Sequence, residues 1–153
     1  MIDKHARGGD SARFSFPEPQ IPGLNFSFSG IKTAILYFLQ DQTASDPDFI
    51  RANLADICAS IQGRIITILL NKLKKAARQT GVKDLCIAGG VSANSGLRTA
   101  FRELGTVEGW NTFIPPFEYC TDNAAMIAIT GHYKYLNGDF APLSVSASAR
   151  AVW

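Results

Sequence analysis

The sequence predicts an α-rich α/β fold with a small, mostly parallel sheet. From about residue 84 the predicted elements alternate as strand, helix, strand, helix, and this alternation is typical of parallel sheets. Before that point a single long helical pattern dominates. The chain has 153 residues, of which 46% are hydrophobic and 18% charged, an ordinary globular composition. We therefore expect one domain over residues 1–153.

The long helical pattern lies between residues 50 and 73. Its aliphatic residues recur at steps of three or four, which places them on one helix face: Ile50, Leu54, Ile57, Ile61, Ile65, Leu69 and Leu73. Pro47 suits the first turn, with Ser45 or Asp46 as the cap. Gly81 is expected to end the helix.

The start of the chain and its tail give weaker signals. Residues 1–13 are polar and charged, so we expect them to be poorly ordered. Residues 24–28 alternate apolar and polar side chains and could form a short strand. A helix with Ser29 as its cap is predicted to run to Leu39. In the tail, Val145 alternates with small polar residues and could belong to an edge strand.

The alternating region supplies the two strands that we expect to pair. Residues 85–88 form an apolar run too short for a helix, which predicts a buried parallel strand. A helix should follow from Ser92 or Asn94 to about residue 104. Residues 111–114 predict the second strand, and residues 121–136 predict the last helix.

Charge and cysteine content exclude little. The net charge of +2 neither requires nor excludes a nucleic-acid partner. The widely spaced cysteines Cys58, Cys86 and Cys120 lack zinc-site spacing. We expect three reduced thiols, two of them buried, in a cytoplasmic protein. No uncharged apolar run approaches the roughly 18 residues that a membrane span needs, so no membrane contact is expected.

The first candidate site follows the first strand, in residues 87–94. Ligands of open α/β sheets bind at the carboxyl ends of strands. Gly89 and Gly90 would let the backbone approach a ligand closely, and the following helix start would offer free N–H groups. Asn94 could contact a ribose or a base, or it could cap the helix. The glycine pair could equally be a structural turn.

The second candidate site follows the second strand, in residues 119–126. Thr121 or Asp122 could cap the last helix, where its dipole favours a carboxylate. Asp122 could instead bind a metal ion, although one carboxylate does not make a metal site. Because both segments end successive strands, Asn94 and Asp122 could face one cleft.

Three blocks of the sequence together resemble the TsaD family. They are residues 17–19 followed by 22–33, residues 87–94 and residues 120–128, which occur in the family's order and with compatible spacing. The end of the chain, residues 149–153, is loosely similar to the family's basic, Trp-containing end. The resemblance implies the truncated C-terminal lobe of an actin/Hsp70-like protein. It also implies transfer of a threonylcarbamoyl group from its adenylate to the adenosine beside the tRNA anticodon.

The resemblance gives each candidate residue a role. Asp122 would be a ligand of one divalent metal ion, iron or zinc, which would polarise the carbonyl of the transferred group. Asn94 would contact the adenylate or an ATP-type nucleotide, and Gly89 with Gly90 would shape the nucleotide cleft. No general base is assigned, so the catalytic residues are unknown. The family's His-x-x-x-His metal ligands and upstream glycine segments do not occur in this sequence.

From these departures we expect the chain to be inactive alone. The expected partners are tRNA and TsaB-like and TsaE-like proteins, and an exposed sheet edge could cause self-association. A non-catalytic nucleotide-binding or scaffold module is the alternative. A metal-dependent glycoprotein endopeptidase, the family's older description, is a weaker alternative, because the sequence has no His-Glu-x-x-His motif.

Overall fold

A computed structural model describes residues 1–146. Its helices and strands in chain order are α1 (Ile2–His5), α2 (Ser29–Ser45), α3 (Phe49–Ala52), α4 (Leu54–Thr80), β1 (Asp84–Cys86), α5 (Ser95–Glu108), β2 (Asn111–Phe113) and α6 (Ala124–Leu136). Two 3-10 turns, Gly90–Ala93 and Phe117–Tyr119, precede α5 and α6. The strands pair in parallel, with Leu85 opposite Thr112. The predicted α-rich α/β architecture with a small parallel sheet is confirmed.

The chain divides into two compact units, Met1–Cys120 and Thr121–Trp153. The first contains the sheet and the helices up to α5, and the second contains α6. In the second unit Val145 lies outside any strand, so the predicted edge strand is not formed up to residue 146. The remainder of that tail, including its Trp-containing end, lies outside the described residues.

Helix α4 is the scaffold of the first unit. The predicted helix is interrupted at Asn53, whose side-chain amide donates to the carbonyl of Phe49 at 2.9 Å and so ends the short α3. The helix α3 has Asp48 at its N-cap position and no side-chain cap, so neither Ser45 nor Asp46 is the cap, contrary to the prediction; the Asp46 carboxylate instead accepts from the backbone N–H of Asp48 at 3.0 Å in the turn before α3. Gly81 ends α4 with φ 72°, in the left-handed region that glycine favours, as predicted.

The predicted apolar face of α4 is only partly buried. Ile57 and Ile61 are deep in the core, together with Phe16 and Ile31. Ile50 and Leu54 are more than a third exposed, although the neighbouring Phe49 packs on the same core. Ile68, which the seven-residue pattern does not include, is 3% exposed and belongs to the same core.

The first thirteen residues pack onto α4 and α5, contrary to the expected disorder. The Asp3 carboxylate accepts from the hydroxyl of Ser95 at 2.6 Å and from its backbone N–H at 3.3 Å. Ala6 is buried against Cys58 and Ala59 of α4. Both a polar contact, from Asp3, and an apolar contact, from Ala6, therefore anchor this polar stretch.

Asp56 holds the same segment from α4. Its carboxylate accepts from the backbone N–H of Asp10 at 2.8 Å and from the guanidinium of Arg13 at 2.7 Å. The Asp10 N–H and the Arg13 cation hold the pKa of Asp56 below its ordinary value. The segment is thus attached by charged hydrogen bonds as well as by packing.

Residues 24–28 form no strand, which corrects that prediction. The rings of Phe26 and Phe28 stack with centroids 5.9 Å apart and remain half exposed. The described sheet consists of β1 and β2, and this stretch pairs with neither strand. Helix α2 begins at Ser29 without any side-chain cap, so Ser29 is not the predicted cap.

The sheet is covered on one face. Leu85 of β1 packs against Ala77 of α4 and the fully buried Phe101 of α5. Asp84 and Cys86, the other residues of β1, are exposed, so the prediction of a buried strand holds for one face. Opposite Cys86, Phe113 is 57% exposed. Cys58 and Cys120 are the two buried thiols, as predicted, and none of the three cysteines is in a disulfide.

Helix α4 meets the length and composition criteria for a membrane span, in contrast to the sequence expectation. One 18-residue window has a mean hydropathy of 1.3, and 33% of it is buried. The core helix of a soluble protein meets the same criteria, so this is weak support for a span. Part of its surface packs against α1 and α5.

Candidate functional site

The glycine pair forms an exposed turn at the carboxyl end of β1. The N–H of Ile87 donates to the carbonyl of Phe113 at 3.2 Å, which extends the strand pairing up to the turn. Gly89 has φ 77° and ψ 177°, a conformation essentially restricted to glycine. A Cβ at Gly89 or Gly90 would meet no atom within 4 Å in the described part of the chain. The backbone here is therefore open to a ligand.

Ser92 holds this turn from inside. It is 1% exposed, and its hydroxyl donates to the carbonyl of Gly89 at 2.7 Å. The backbone N–H of Ser92 donates to the same carbonyl at 3.0 Å. The turn is thus fixed by two hydrogen bonds, while its outer surface remains accessible.

A cavity of about 310 Å³ lies beside the turn in the first unit. Its lining is almost entirely apolar and comes from α4, from the start of α5 and from the segments around residues 24–26 and 87–92: Leu24, Phe26, Leu69, Leu70, Lys72, Leu73, Ala76, Ile87, Ala88, Val91, Ser92 and Leu97. The Lys72 ammonium donates hydrogen bonds to the carbonyls of Ile21 at 2.7 Å and Gly23 at 3.0 Å. The cavity is at the small end of the range for ligand pockets, and its chemistry suits an apolar group.

Asn94 is the N-cap of α5. Its side-chain oxygen accepts from the backbone N–H of Leu97 at 2.8 Å. Its amide nitrogen donates to the side-chain oxygen of Gln62 on α4 at 2.7 Å. The capping interpretation of Asn94 is therefore realised. One amide hydrogen remains for another partner.

Asp122 does not cap α6, and neither does Thr121. The cap is Asn123, whose side-chain oxygen accepts from the backbone N–H of Met126 at 3.1 Å. Asp122 is exposed in the second unit. Among residues 1–146, no three His, Cys, Asp or Glu side chains are close enough to hold a metal ion. Asp122 can supply one ligand, and a complete site would need others from elsewhere.

The shared cleft of Asn94 and Asp122 stays a prediction, since the two residues belong to different compact units. Within the first unit, the structure does bring Gly89, Gly90 and Asn94 onto one short stretch at the carboxyl end of β1.

Arg98 is a buried residue that the sequence reasoning missed. It is 7% exposed, and its guanidinium donates to the carbonyls of Ser92 at 3.0 Å and Pro115 at 2.7 Å. The guanidinium carbon stands 4.1 Å from the centre of the Phe117 ring. A signal was available: Arg98 is three positions before the apolar Phe101 and so shares its face of α5.

Comparison with known proteins identifies the family. The model of the family described as TsaD, tRNA N6-adenosine threonylcarbamoyltransferase, matches residues 1–129. A protein of that name from Christiangramia forsetii is 58% identical over 150 residues, and one from Cytophaga hutchinsonii is 54% identical over 150 residues. Another, from Fervidobacterium nodosum, is 45% identical over 140 residues.

These matches cover nearly all of this chain but less than half of each relative. The first two cover 98% of the chain and 44% of the relative, and the third covers 90% and 41%. The chain therefore spans less than half the length of these relatives. Because the family model covers most of the chain, and the first two relatives exceed half identity along almost all of it, the chain belongs to the TsaD family.

Proposed function

We propose that the chain is part of an enzyme that transfers a threonylcarbamoyl group from its adenylate to the adenosine beside the tRNA anticodon. The relatives' name, tRNA N6-adenosine threonylcarbamoyltransferase, supports the reaction. The structural observation that supports a part of the active site in this chain is the exposed Gly89-Gly90 turn at the carboxyl end of a parallel strand. In this proposal the chain is part of the second lobe of an actin/Hsp70-like fold.

The turn forms one wall of the nucleotide site. Gly89 and Gly90 carry no side chain, so a phosphate or ribose can approach their backbone closely. Asn94 keeps its capping bond to Leu97 and uses its second amide hydrogen on the ribose or base. The wall is held in shape by the hydrogen bond from the Ser92 hydroxyl to the carbonyl of Gly89.

Asp122 supplies one oxygen ligand to a divalent ion, iron or zinc, which when bound polarises the carbonyl of the transferred group. Such ions require three or four protein ligands, and the described residues offer no such group. We therefore propose that the chain is inactive alone. It acts in the cytoplasm with tRNA and with TsaB-like and TsaE-like partners.

A chimera tests the proposed function. This chain would replace the matching 44% of the Christiangramia forsetii relative, which supplies the remaining part. We expect the chimera, supplied with labelled threonylcarbamoyl-adenylate and with TsaB-like and TsaE-like proteins, to transfer the label to tRNA, and the isolated chain under the same conditions not to do so. A folded chimera that binds nucleotide without transferring the group would favour the non-catalytic module. Metal-dependent cleavage of a glycoprotein would favour the endopeptidase.

Replacing Asp122 with alanine in the chimera is expected to lower bound iron or zinc by more than about tenfold, because a ligand is lost. Metal content would be measured by mass spectrometry after gel filtration. Asp139→Ala is the matched control, since Asp139 is also exposed in the second unit and pairs with Lys134. Equal metal occupancy in the two variants would refute the role of Asp122.

Replacing Asn94 with serine separates its two roles. Serine caps a helix about as well as asparagine, so the capping of α5 should be kept, while the hydrogen bond from Asn94 to Gln62 is lost. Serine has no amide hydrogen to offer a ribose or base, so the Kd of the chimera for AMP should rise by about threefold to tenfold. Isothermal titration would measure it. An unchanged Kd would leave Asn94 with the capping role alone.

A further inference from the structure

Arg98 joins the two backbone stretches that follow β1 and β2. One guanidinium nitrogen donates to the carbonyl of Ser92, next to the glycine turn, and lies 3.6 Å from the sulfur of Cys120. The other donates to the carbonyl of Pro115, just after β2. The three partners belong to stretches up to 28 residues apart in sequence, between Ser92 and Cys120.

The surroundings of Arg98 are unusual for a buried cation. No ion pair in the described part of the chain includes it. The cation is stabilised instead by hydrogen bonds to two carbonyl oxygens and by the face of the Phe117 ring, whose centre lies 4.1 Å from the guanidinium carbon. The planar fork of a guanidinium reaches two acceptors in fixed directions, which an ammonium does not. Geometry, more than charge pairing, accounts for arginine here.

We propose that Arg98 is a positioning residue for the nucleotide site: its guanidinium fixes the glycine turn after β1 against residues 115–120 after β2. This rests on the proposed function, because it assigns the turn to the nucleotide. Ser92 receives the guanidinium on its carbonyl and holds Gly89 with its hydroxyl. Two residues beyond the anchored Cys120 the chain continues into Asp122.

Thiol labelling tests whether Arg98 fixes the two stretches. Cys120 is 2% exposed and Cys58 is 7% exposed, while Cys86 is open. In Arg98→Met we expect iodoacetamide to label Cys120 about tenfold faster than in wild type, with Cys58 unchanged. Arg98→Lys should give an intermediate rate, and Arg102→Met, on the exposed side of α5, none of the increase.

An unchanged Cys120 rate in Arg98→Met would overturn the proposal. If the labelling rates of Cys58 and Cys120 both rise, Arg98→Met has unfolded. The Cys120 labelling rate of Arg98→Lys then tests the proposal instead. A lysine variant that labels Cys120 as wild type does would then also overturn it.

The kinetics of the chimera test the link to the nucleotide. Arg98→Met is expected to raise the KM for threonylcarbamoyl-adenylate by about tenfold and to change kcat less, since a displaced turn weakens binding. Arg98→Lys should recover part of this. Faster labelling with an unchanged KM would make Arg98 merely structural. An inactive wild-type chimera would count against the proposed function alone, and the Cys120 labelling would still decide the fixing of the two stretches.

Discussion

Replacing Phe101 with alanine is expected to lower the free energy of unfolding by about 3–5 kcal/mol. Phe101 is 0% exposed and packs with Ala77 of α4 and Leu85 of β1. The substitution loses the burial of an aromatic ring. It also leaves a cavity between α4, α5 and the sheet, which these elements can fill only in part by moving closer together. A loss of this size is a large fraction of the roughly 5–15 kcal/mol that stabilises a domain.

Urea unfolding followed by far-UV circular dichroism would measure this loss. The control is Val107→Ala, a change on the same helix at a side chain that is 80% exposed, for which we expect less than about 0.5 kcal/mol. A loss below about 1 kcal/mol for Phe101→Ala would mean that α5 is not seated on the sheet. Such a result would also count against a fixed glycine turn, because Ile87, which precedes the turn, packs on the same cluster.

The elements that sequence patterns predicted correctly are those whose signal is local. Helix α4 follows from a step of three or four residues, and its end follows from Gly81. The short strands follow from apolar runs bounded by glycines or prolines, and their parallel pairing follows from the intervening helix. Each of these inferences depends on residues within one window of sequence.

The wrong predictions concern segments whose structure depends on contacts with distant parts of the chain. The polar start is ordered because Asp3 finds Ser95, 92 residues away, and no local pattern indicates that pair. Residues 24–28 alternate like a strand, yet they join neither edge of the described two-stranded sheet. Tertiary contacts outweighed local preference in both cases.

The cap of α6 shows how closely a sequence pattern can place the start of a helix. Thr121, Asp122 and Asn123 are all good capping residues and stand side by side. Asn123 became the cap because its backbone is extended, with φ −151° and ψ 158°, immediately before α6. A shift of one residue in the helix start decides which side chain caps and which stays free. Sequence patterns do not fix helix boundaries that closely.

The site was predictable in part for the same reasons. A glycine pair after a strand indicated an accessible turn, and the φ of Gly89 explains why glycine stands there. The two roles of Asn94 could not be separated without seeing Leu97 and Gln62 around it. Arg98 escaped notice because cations are usually exposed, and its acceptors are backbone carbonyls that no sequence pattern reveals.

Replacing Gly105 with alanine is expected to destabilise the chain by about 1–2 kcal/mol, the net of two opposing effects. In an exposed helix the same change stabilises by up to about 1 kcal/mol, because glycine is a poor helix former. At position 105, however, the new methyl would collide with the Cγ2 methyl of Thr112 on β2 and stand 3.4 Å from the carbonyl of Trp110. Overpacking of this kind costs about 1–3 kcal/mol and outweighs the gain.

Two matched variants make the Gly105 prediction specific. Gly131 lies inside α6, and a methyl added there would have no atom of the described chain within 4 Å, so Gly131→Ala should stabilise or be neutral. Adding Thr112→Ser to Gly105→Ala removes the colliding methyl and leaves the Thr112 Cβ position at 3.5 Å, an ordinary contact. The double variant should therefore be more stable than Gly105→Ala alone, with a favourable coupling in a double-mutant cycle measured by urea unfolding.

The Gly105 cycle also tests the geometry on which the site depends. Helix α5 carries Asn94 at its start and Arg98 in its first turn, while Gly105 lets its last turn lie directly against β2. If the alanine pushes that end of α5 away from the sheet, the carbonyl of Pro115 should move out of reach of Arg98, and Cys120 should label faster in Gly105→Ala. Thr112→Ser should restore the wild-type rate. A destabilised Gly105→Ala with an unchanged Cys120 rate would show that the two ends of α5 are independent.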